Sequence, residues 1–391
     1  MRIVHVANFY GPNSGGIKTT LHELGRGYQE FGHEFIYIVP GVNHVEEITP
    51  YGRKITLPGL QLPQSGGYRI IRCNADLKVL LKKLKPDRLE VSDRFTLRSL
   101  GDWARENGVP SVAFSHETLN GLVDRFLPFF PSRLKRQIVN WHNLRLAKSF
   151  DYIVATTHFA SREFRDINVS NLVRIPLGVD LRTFHPALRS ESLREEMLKG
   201  SKILLVHCGR MSREKEPQRS IDTLEILLKK GISARLVYVG TGPLWHKLRK
   251  RAHGLPVDFL GYIADRTRVA KILASADISM APGPLETFCL AALESLASGT
   301  PVVASSSSAV GEFLVQSHHH PAGAVADDHR FSFAQAIQHL LKRPRLRDTA
   351  REVAEALPWD ATVRNMLMLH GALEQQVDLP PLVLPKVMKV A

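Results

Sequence analysis

The sequence predicts an α/β protein built from two doubly wound parallel-sheet domains. Three observations carry this. The chain has 391 residues, more than one hydrophobic core ordinarily serves. Short apolar runs of strand length alternate with stretches of helical periodicity. And that alternation runs through both halves, as repeated βα units that close into parallel sheets. A hydrophobic share of 44% and a charged share of 23% lie near globular averages, which excludes a disordered or fibrous chain.

Taken in order, residues 3–7 form an apolar run ending at Asn8, followed by Gly11-Pro12-Asn13-Ser14-Gly15-Gly16 and a helical stripe through Leu21, Leu24 and Tyr28. This reads as strand, glycine loop, helix. A second strand over 35–39 closes on Pro40-Gly41, and further strands are expected at 88–91, 111–114 and 152–155. The second half has expected strands at 202–207, 235–239, 257–260, 278–281 and 301–304, with helices between them. After Pro217, Ile221, Leu224, Leu227 and Leu228 share the stripe of a helix laid on a sheet. The polar stretch 189–199 after Pro176-Leu177-Gly178-Val179-Asp180 suggests a linker near 181–200. The expected layout is a first domain over 1–185, a second over 200–357, a helix over 358–376 and a weakly ordered proline-rich tail over 377–391.

A formal charge of +14 favours polyanionic partners: nucleotide phosphates, nucleic acid or an anionic lipid surface. No run approaches the roughly 20 apolar residues of a membrane span, and Met1 to His5 lead straight into a strand, so a cytoplasmic or peripheral protein is expected. Cys73, Cys208 and Cys289 are far apart, which suggests neither disulfides nor a zinc site. His318-His319-His320 reads as an exposed loop, because neighbouring histidines cannot all face one ion. No nucleic-acid reading motif is apparent.

The most informative segment runs from Glu286 through Thr287, Phe288, Cys289 and Leu290 to Glu294, then Gly299-Thr300-Pro301. It places two carboxylates with seven residues between them, flanked by two strands, with Glu286 expected where a helix begins and free N–H groups favour a diphosphate. This resembles the E-x7-E signature of the family four retaining glycosyltransferases. The resemblance implies the GT-B fold, two Rossmann-like domains facing each other across the active site, with the terminal helix after Pro358-Trp359-Asp360 crossing back to the first. It also implies that Glu286 meets the donor sugar hydroxyls, Glu294 the nucleotide ribose, and Phe288, Cys289 and Leu290 the same substrate. Gly209-Arg210-Met211-Ser212-Arg213-Glu214-Lys215 resembles the family's G-R-x-x-x-E-K loop, in which Arg210 and Lys215 would clamp the diphosphate in place of a metal. Glu216-Pro217 departs from that pattern, where a glycine is common.

Gly15-Gly16 resembles the family's glycine pair, with Gly16 at the distal phosphate and the acceptor; its spacing is not that of a nicotinamide-binding loop. His116, after the strand at 111–114, is implied to lie beside the anomeric carbon, and Ile263 to touch the base. The stretches 5–16, 89–94 and 281–284 further resemble mycobacterial GDP-mannose-dependent phosphatidylinositol mannoside mannosyltransferases. That implies a hexosyltransferase moving α-mannose from GDP-mannose to a glycolipid, without a cofactor, at the inner face of the cell membrane. A transferase using another nucleotide sugar such as UDP-glucose, and a non-catalytic nucleotide-sugar or polyanion-binding protein, are the alternatives. Between Arg125 and Lys148, Phe126, Leu127, Phe129, Phe130 and Trp141 alternate with Arg133, Lys135, Arg136 and Arg145. This stretch either meets an anionic membrane or packs its aromatics inward.

Overall fold

A computed structural model describes residues 1–11, 15–62, 67–126, 129–314 and 321–373. The chain forms two compact units: Met1–Leu177 with the segment returning from Trp359, and Gly178–Pro358.

In the first unit the strands are β1 (Arg2–Ala7), β2 (Glu34–Gly41), β3 (Val45–Thr49), β4 (Gly52–Pro58), the short pair β5 (Leu60–Gln61) and β6 (Arg69–Ile70), then β7 (Arg88–Ser92), β8 (Ser111–Ser115), β9 (Tyr152–Ala155) and β10 (Leu172–Arg174). The main sheet runs β10-β9-β8-β7-β1-β2-β4-β3, parallel except for the β3–β4 hairpin at its edge. β1 is apolar on both faces because both are covered. Val4 and Val6 enter one core with Ile36, Ile38 and Val91. Ile3 and Ala7 face the other way, toward Leu21, Leu24 and Tyr28 of the helix Gly16–Glu30 and Val363, Met366 and Leu367 of the helix Trp359–Leu369.

The second unit has β11 (Ile203–Cys208), β12 (Ala234–Val239), β13 (Val257–Phe259), β14 (Ile278–Ala281), β15 (Val302–Ser305) and β16 (Gly323–Ala326) in the order β13-β12-β11-β14-β15-β16, parallel throughout. Its core gathers Leu205, Leu236 and Ile278 from the sheet with Ile221, Leu224 and Leu227 of the helix Gln218–Lys229. In each sheet the strand order reverses beside the first strand of the unit, between β1 and β7 and between β11 and β14. Ligands of open α/β sheets sit at such reversals, beyond the carboxyl ends of the strands.

Three expectations change. Residues 181–200 are not a linker: they carry a short 3-10 turn and the helix Glu191–Leu198, and belong to the second unit, because Met197 is buried there and Ser190 bonds to Ser275. The division accordingly falls at Leu177, not at 185. Glu286 is not at a helix start; that helix is Leu290–Ala297. The β3–β4 hairpin had no clear apolar alternation to reveal it, since β3 is an exposed edge strand carrying Glu46 and Glu47. His318–His320, the end of the expected helix at 374–376 and the tail lie outside the described residues.

Candidate active site

At the reversal in the second unit, two loops meet. β11 ends in Cys208 and leads through Gly209 and Arg210 to the 3-10 turn Arg213–Lys215; β14 leads through Pro282-Gly283-Pro284 to Glu286. Lys215 Nζ donates to Glu286 Oε1 at 2.6 Å. Gly283 allows this approach: a Cβ there would lie 3.0 Å from Lys215 Cα and 3.3 Å from Glu286 Oε1. Burial by itself would lower the Lys215 ammonium, but Glu286, Cys289 and Glu214 around it raise it above the ordinary lysine value, so it is a fixed cation. Beneath it, His207 on β11 is pushed down to about 3 by burial and by the Lys215 charge, and so is neutral.

Arg219, in the first turn of the following helix, ties the two loops together. Its guanidinium donates to the Pro282 carbonyl at 2.7 Å and to Asp328 at 2.7 Å, and it also pairs with Glu216. Glu216 holds φ +42°, the left-handed backbone that a glycine adopts freely, which explains why a glycine is common here and leaves Glu216 strained. Leu285 and Cys289 are left-handed too, so the loop from Pro282 to the helix is strained at two non-glycine residues, while the Leu285 amide donating to the Ser307 carbonyl and the Ala309 amide donating to the Glu286 carbonyl pin it to the turn after β15. Cys208 is pushed up to about 12 by burial, and burial pushes Cys289 up as well, so neither thiol is poised as a nucleophile.

Glu294, on the helix, accepts from Arg266 at 3.0 Å, and Arg266 lies over the Phe184 ring. Ile263 is half-buried in the turn before Asp265 caps the next helix. Gly240 packs against Gly209, where a Cβ would sit 2.1 Å from the Gly209 carbonyl oxygen, and its amide donates to Gly261, so the turns after β11, β12 and β13 interlock. Phe288 turns away from the loops and is buried against Phe313, which leaves its backbone rather than its ring for a ligand.

At the reversal in the first unit, Phe9, Ile17, Ser92, Asp93, Phe114 and His116 line a small, open pocket. Behind it runs a buried hydrogen-bonded chain. His116 Nε2 meets Ser92 Oγ at 2.8 Å, Ser92 Oγ meets His5 Nε2 at 2.7 Å, and His5 Nδ1 meets Glu90 Oε2 at 2.7 Å. Glu90 Oε1 takes hydrogen bonds from Tyr28 OH and His370 Nε2, both at 2.7 Å. Burial would raise the Glu90 carboxyl, but the bonds from His370 and His5 hold it down at about 2. His116 is lowered to about 3 by burial and by His5. Beside the chain, Arg94 pairs with Glu163 at 2.7 Å, and Glu163 accepts the Leu119 amide at 2.8 Å, fixing the helix that follows His116. Gly15 and Gly16 begin the helix Gly16–Glu30, and a Cβ at either would meet nothing of the chain.

The second unit thus joins Lys215 with Glu286 directly and sets Glu294 against Arg266; Arg210 stands half-buried in the Lys215 loop. Sequence reasoning missed Arg219, Arg266, Gly283 and the whole chain behind His116. The helix Ser132–Ser149 turns Val139, Asn143 and Leu146 inward, while Phe129, Phe130, Leu134, Ile138 and Trp141 are exposed beside Arg133, Arg136 and Arg145, with Arg145 over the Trp141 ring. The aromatics described here do not pack inward; Leu127 and the side chains of Arg125 and Phe126 lie outside the described residues.

The family models that match are "Glycosyltransferase Family 4" over residues 14–183 and "Glycosyl transferases group 1" over residues 202–343. A GDP-mannose-dependent alpha-(1-6)-phosphatidylinositol dimannoside mannosyltransferase of Mycobacterium tuberculosis is 46% identical over 376 residues, 95% of this chain and 97% of that protein. A GDP-mannose-dependent alpha-mannosyltransferase of Mycolicibacterium smegmatis is 25% identical over 95% of this chain and 98% of its own length. Among solved structures, a sucrose-phosphate synthase from Thermosynechococcus elongatus matches with a TM-score of 0.73 at 18% identity, over 95% of this chain and 98% of that one, a likeness of fold.

Proposed function

The chain belongs to the family 4 glycosyltransferases, and from that premise we propose that it transfers α-mannose from GDP-mannose, with retention, to a phosphatidylinositol mannoside. The observation that carries the reading is the Lys215–Glu286 pair at the sheet reversal of the second unit, held by Gly283 and Arg219. It sets a cation for a diphosphate beside a carboxylate for sugar hydroxyls. Lys215 and Arg210 neutralise the charge that builds on the departing GDP, so no metal ion is needed to stabilise it. Glu286 and Glu294 orient the sugar and the ribose; the departing phosphate accepts the proton of the attacking acceptor hydroxyl on the same face. The family resemblance assigns His116 to the sugar ring, and Ile263, Phe288, Cys289, Leu290 and Gly16 to contacts with the donor.

No described helix is long and apolar enough to cross a membrane. The exposed face carrying Phe129, Phe130 and Trp141 with Arg133 and Arg136 fits an anionic lipid surface, where aromatic rings settle at the headgroups and each cation contributes about 1 kcal/mol. Docking there brings the enzyme to a glycolipid acceptor at the inner face of the cell membrane.

The test is a panel of GDP- and UDP-sugars assayed with phosphatidylinositol mannosides in vesicles, with and without EDTA. Mannosyl transfer from GDP-mannose that survives chelation is expected. Transfer from a UDP-sugar alone, or activity abolished by EDTA and restored by Mg2+, would overturn the donor or the metal-free mechanism. The variant with Arg133, Lys135 and Arg136 all changed to Ser should bind anionic vesicles more weakly, and wild-type binding should fall as salt rises; equal binding by both removes the membrane role.

A further inference from the structure

We infer that Phe95 carries the lipid part of the acceptor out of the first unit's pocket, and so sets the preference for an acylated over a deacylated acceptor. This rests on the proposed transfer to a phosphatidylinositol mannoside, whose attacking hydroxyl has to reach the sugar that the family resemblance assigns to His116.

The pocket has four apolar side chains in its wall, Phe9, Ile17, Phe95 and Phe114. Phe114 is buried, and Phe9 and Ile17 are half-buried, with the Phe9 ring against Tyr68. Phe95 differs: it is 44% exposed. Its backbone is held in place, because Asp93 accepts the Phe95 amide at 2.6 Å and is itself bonded to Asn8. A fixed apolar ring left in water at a pocket wall is surface that the apolar part of a ligand can cover.

From Phe95 the apolar surface continues onto the helix Ser132–Ser149. The Phe95 and His142 ring centres lie 4.8 Å apart, and burial and the Arg94 charge push His142 down to about 4, so an uncharged ring backs Phe95 at neutral pH. One turn back along the helix Ile138 is exposed, and Leu134 and Trp141 share its stripe.

Charge selects the occupant. The helix carries Arg133, Lys135, Arg136, Arg145 and Lys148 and no acidic residue of its own; of these, Lys135 pairs with Asp124 from outside it. An apolar stripe among cations matches a chain joined to a phosphate. The exposed Val45 and Ile48 of β3 make the contrast: Glu46 and Glu47 between them pair with Arg53 and Lys54, which leaves no net charge to attract an anion. The reacting mannose therefore enters the pocket while an acyl chain lies over Phe95 toward Ile138.

The test uses dihexanoyl phosphatidylinositol with a diazirine in one chain, monomeric in water so that no bilayer is present. After irradiation with the full-length protein and digestion with trypsin, label is expected on residues 95–98 and 137–145, and excess unlabelled lipid should displace it. In Phe95→Ser the label on 137–145 should fall about tenfold at subsaturating lipid, the effect of losing one covered aromatic ring. The same variant's kcat/KM on phosphatidylinositol mannoside, taken as a ratio to that on the deacylated compound, should also drop about tenfold, and Phe95→Leu should restore most of it. Absence of displaceable label on 95–98, or an unchanged ratio in Phe95→Ser, overturns the inference. Labelling needs no turnover, so failure to transfer mannose counts against the proposed substrates, and the label still decides this inference.

Discussion

Each unit carries a buried histidine near the end of its central strand, His5 on β1 and His207 on β11, and each ring touches a serine, Ser92 or Ser220. Their surroundings are opposite. His5 faces the Glu90 carboxylate, while His207 lies under the Lys215 ammonium and is neutral. The first unit keeps its charge deep behind the cavity and presents a neutral imidazole; the second presents its charge at the loop ends and keeps a neutral imidazole behind them. One sheet architecture thus supports two electrostatic designs, and the difference comes from a single neighbouring strand or loop rather than from the strand that carries the histidine.

The largest effect should come from removing the deep charge. Glu90→Gln removes the negative charge and one of the two acceptor oxygens shared by His5, Tyr28 and His370, and a loss of about 3–5 kcal/mol is expected in a denaturant titration. The sign of its pH dependence follows from the lowered carboxyl: the stabilisation is complete above the ordinary carboxyl value near 4.5 and disappears as pH falls to about 2. The variant's stability should accordingly fall less steeply across that interval, and parallel acid curves for the two proteins would count against an ionised Glu90.

Next comes the charge at the loop ends. Lys215→Ala should reduce turnover roughly 10²–10³-fold, as loss of one preorganised charge donor does, with little change in unfolding midpoint. Arg210→Ala is expected to lose both donor affinity and turnover. If Lys215→Ala instead unfolds the protein while turnover per folded molecule persists, the contrast between a structural charge in one unit and a reactive charge in the other collapses. The smallest expected effect is that of Arg266→Ala, which frees Glu294 from a part-exposed ion pair worth at most about 1 kcal/mol. KM for the donor should rise a few-fold with kcat intact; a fall in kcat would give Arg266 a role in the chemistry itself.

The same contrast explains what could be read in the sequence. Glu286, Glu294, Arg210 and Lys215 lie on two continuous loops after strands, so their spacing was visible, and the βα alternation exposed both sheets. Arg219 looked like one more helix residue, although it holds the two loops together. The chain behind His116 draws on residues 5, 28, 90, 92 and 370, which no local pattern joins. His5 and Glu90 come together only because β1 and β7 pair in a register that sets them opposite each other. The linker reading failed for a related reason: a polar amphipathic helix such as Glu191–Leu198 buries little but Met197, and its composition is that of a loop.

The returning C-terminal segment also bears on how the protein is made. Glu90 waits for His370, 280 residues later, and Pro176 for Thr362, 186 residues later, whereas the described residues of the second unit form one continuous stretch. On the ribosome, the second unit can close while the first still lacks Val363, Met366 and Leu367 for one face of its sheet. The half of the enzyme synthesised first is therefore finished last. Until then an apolar sheet face and a buried carboxylate stand open, and chains released short of residue 370 are the ones quality-control proteases should remove.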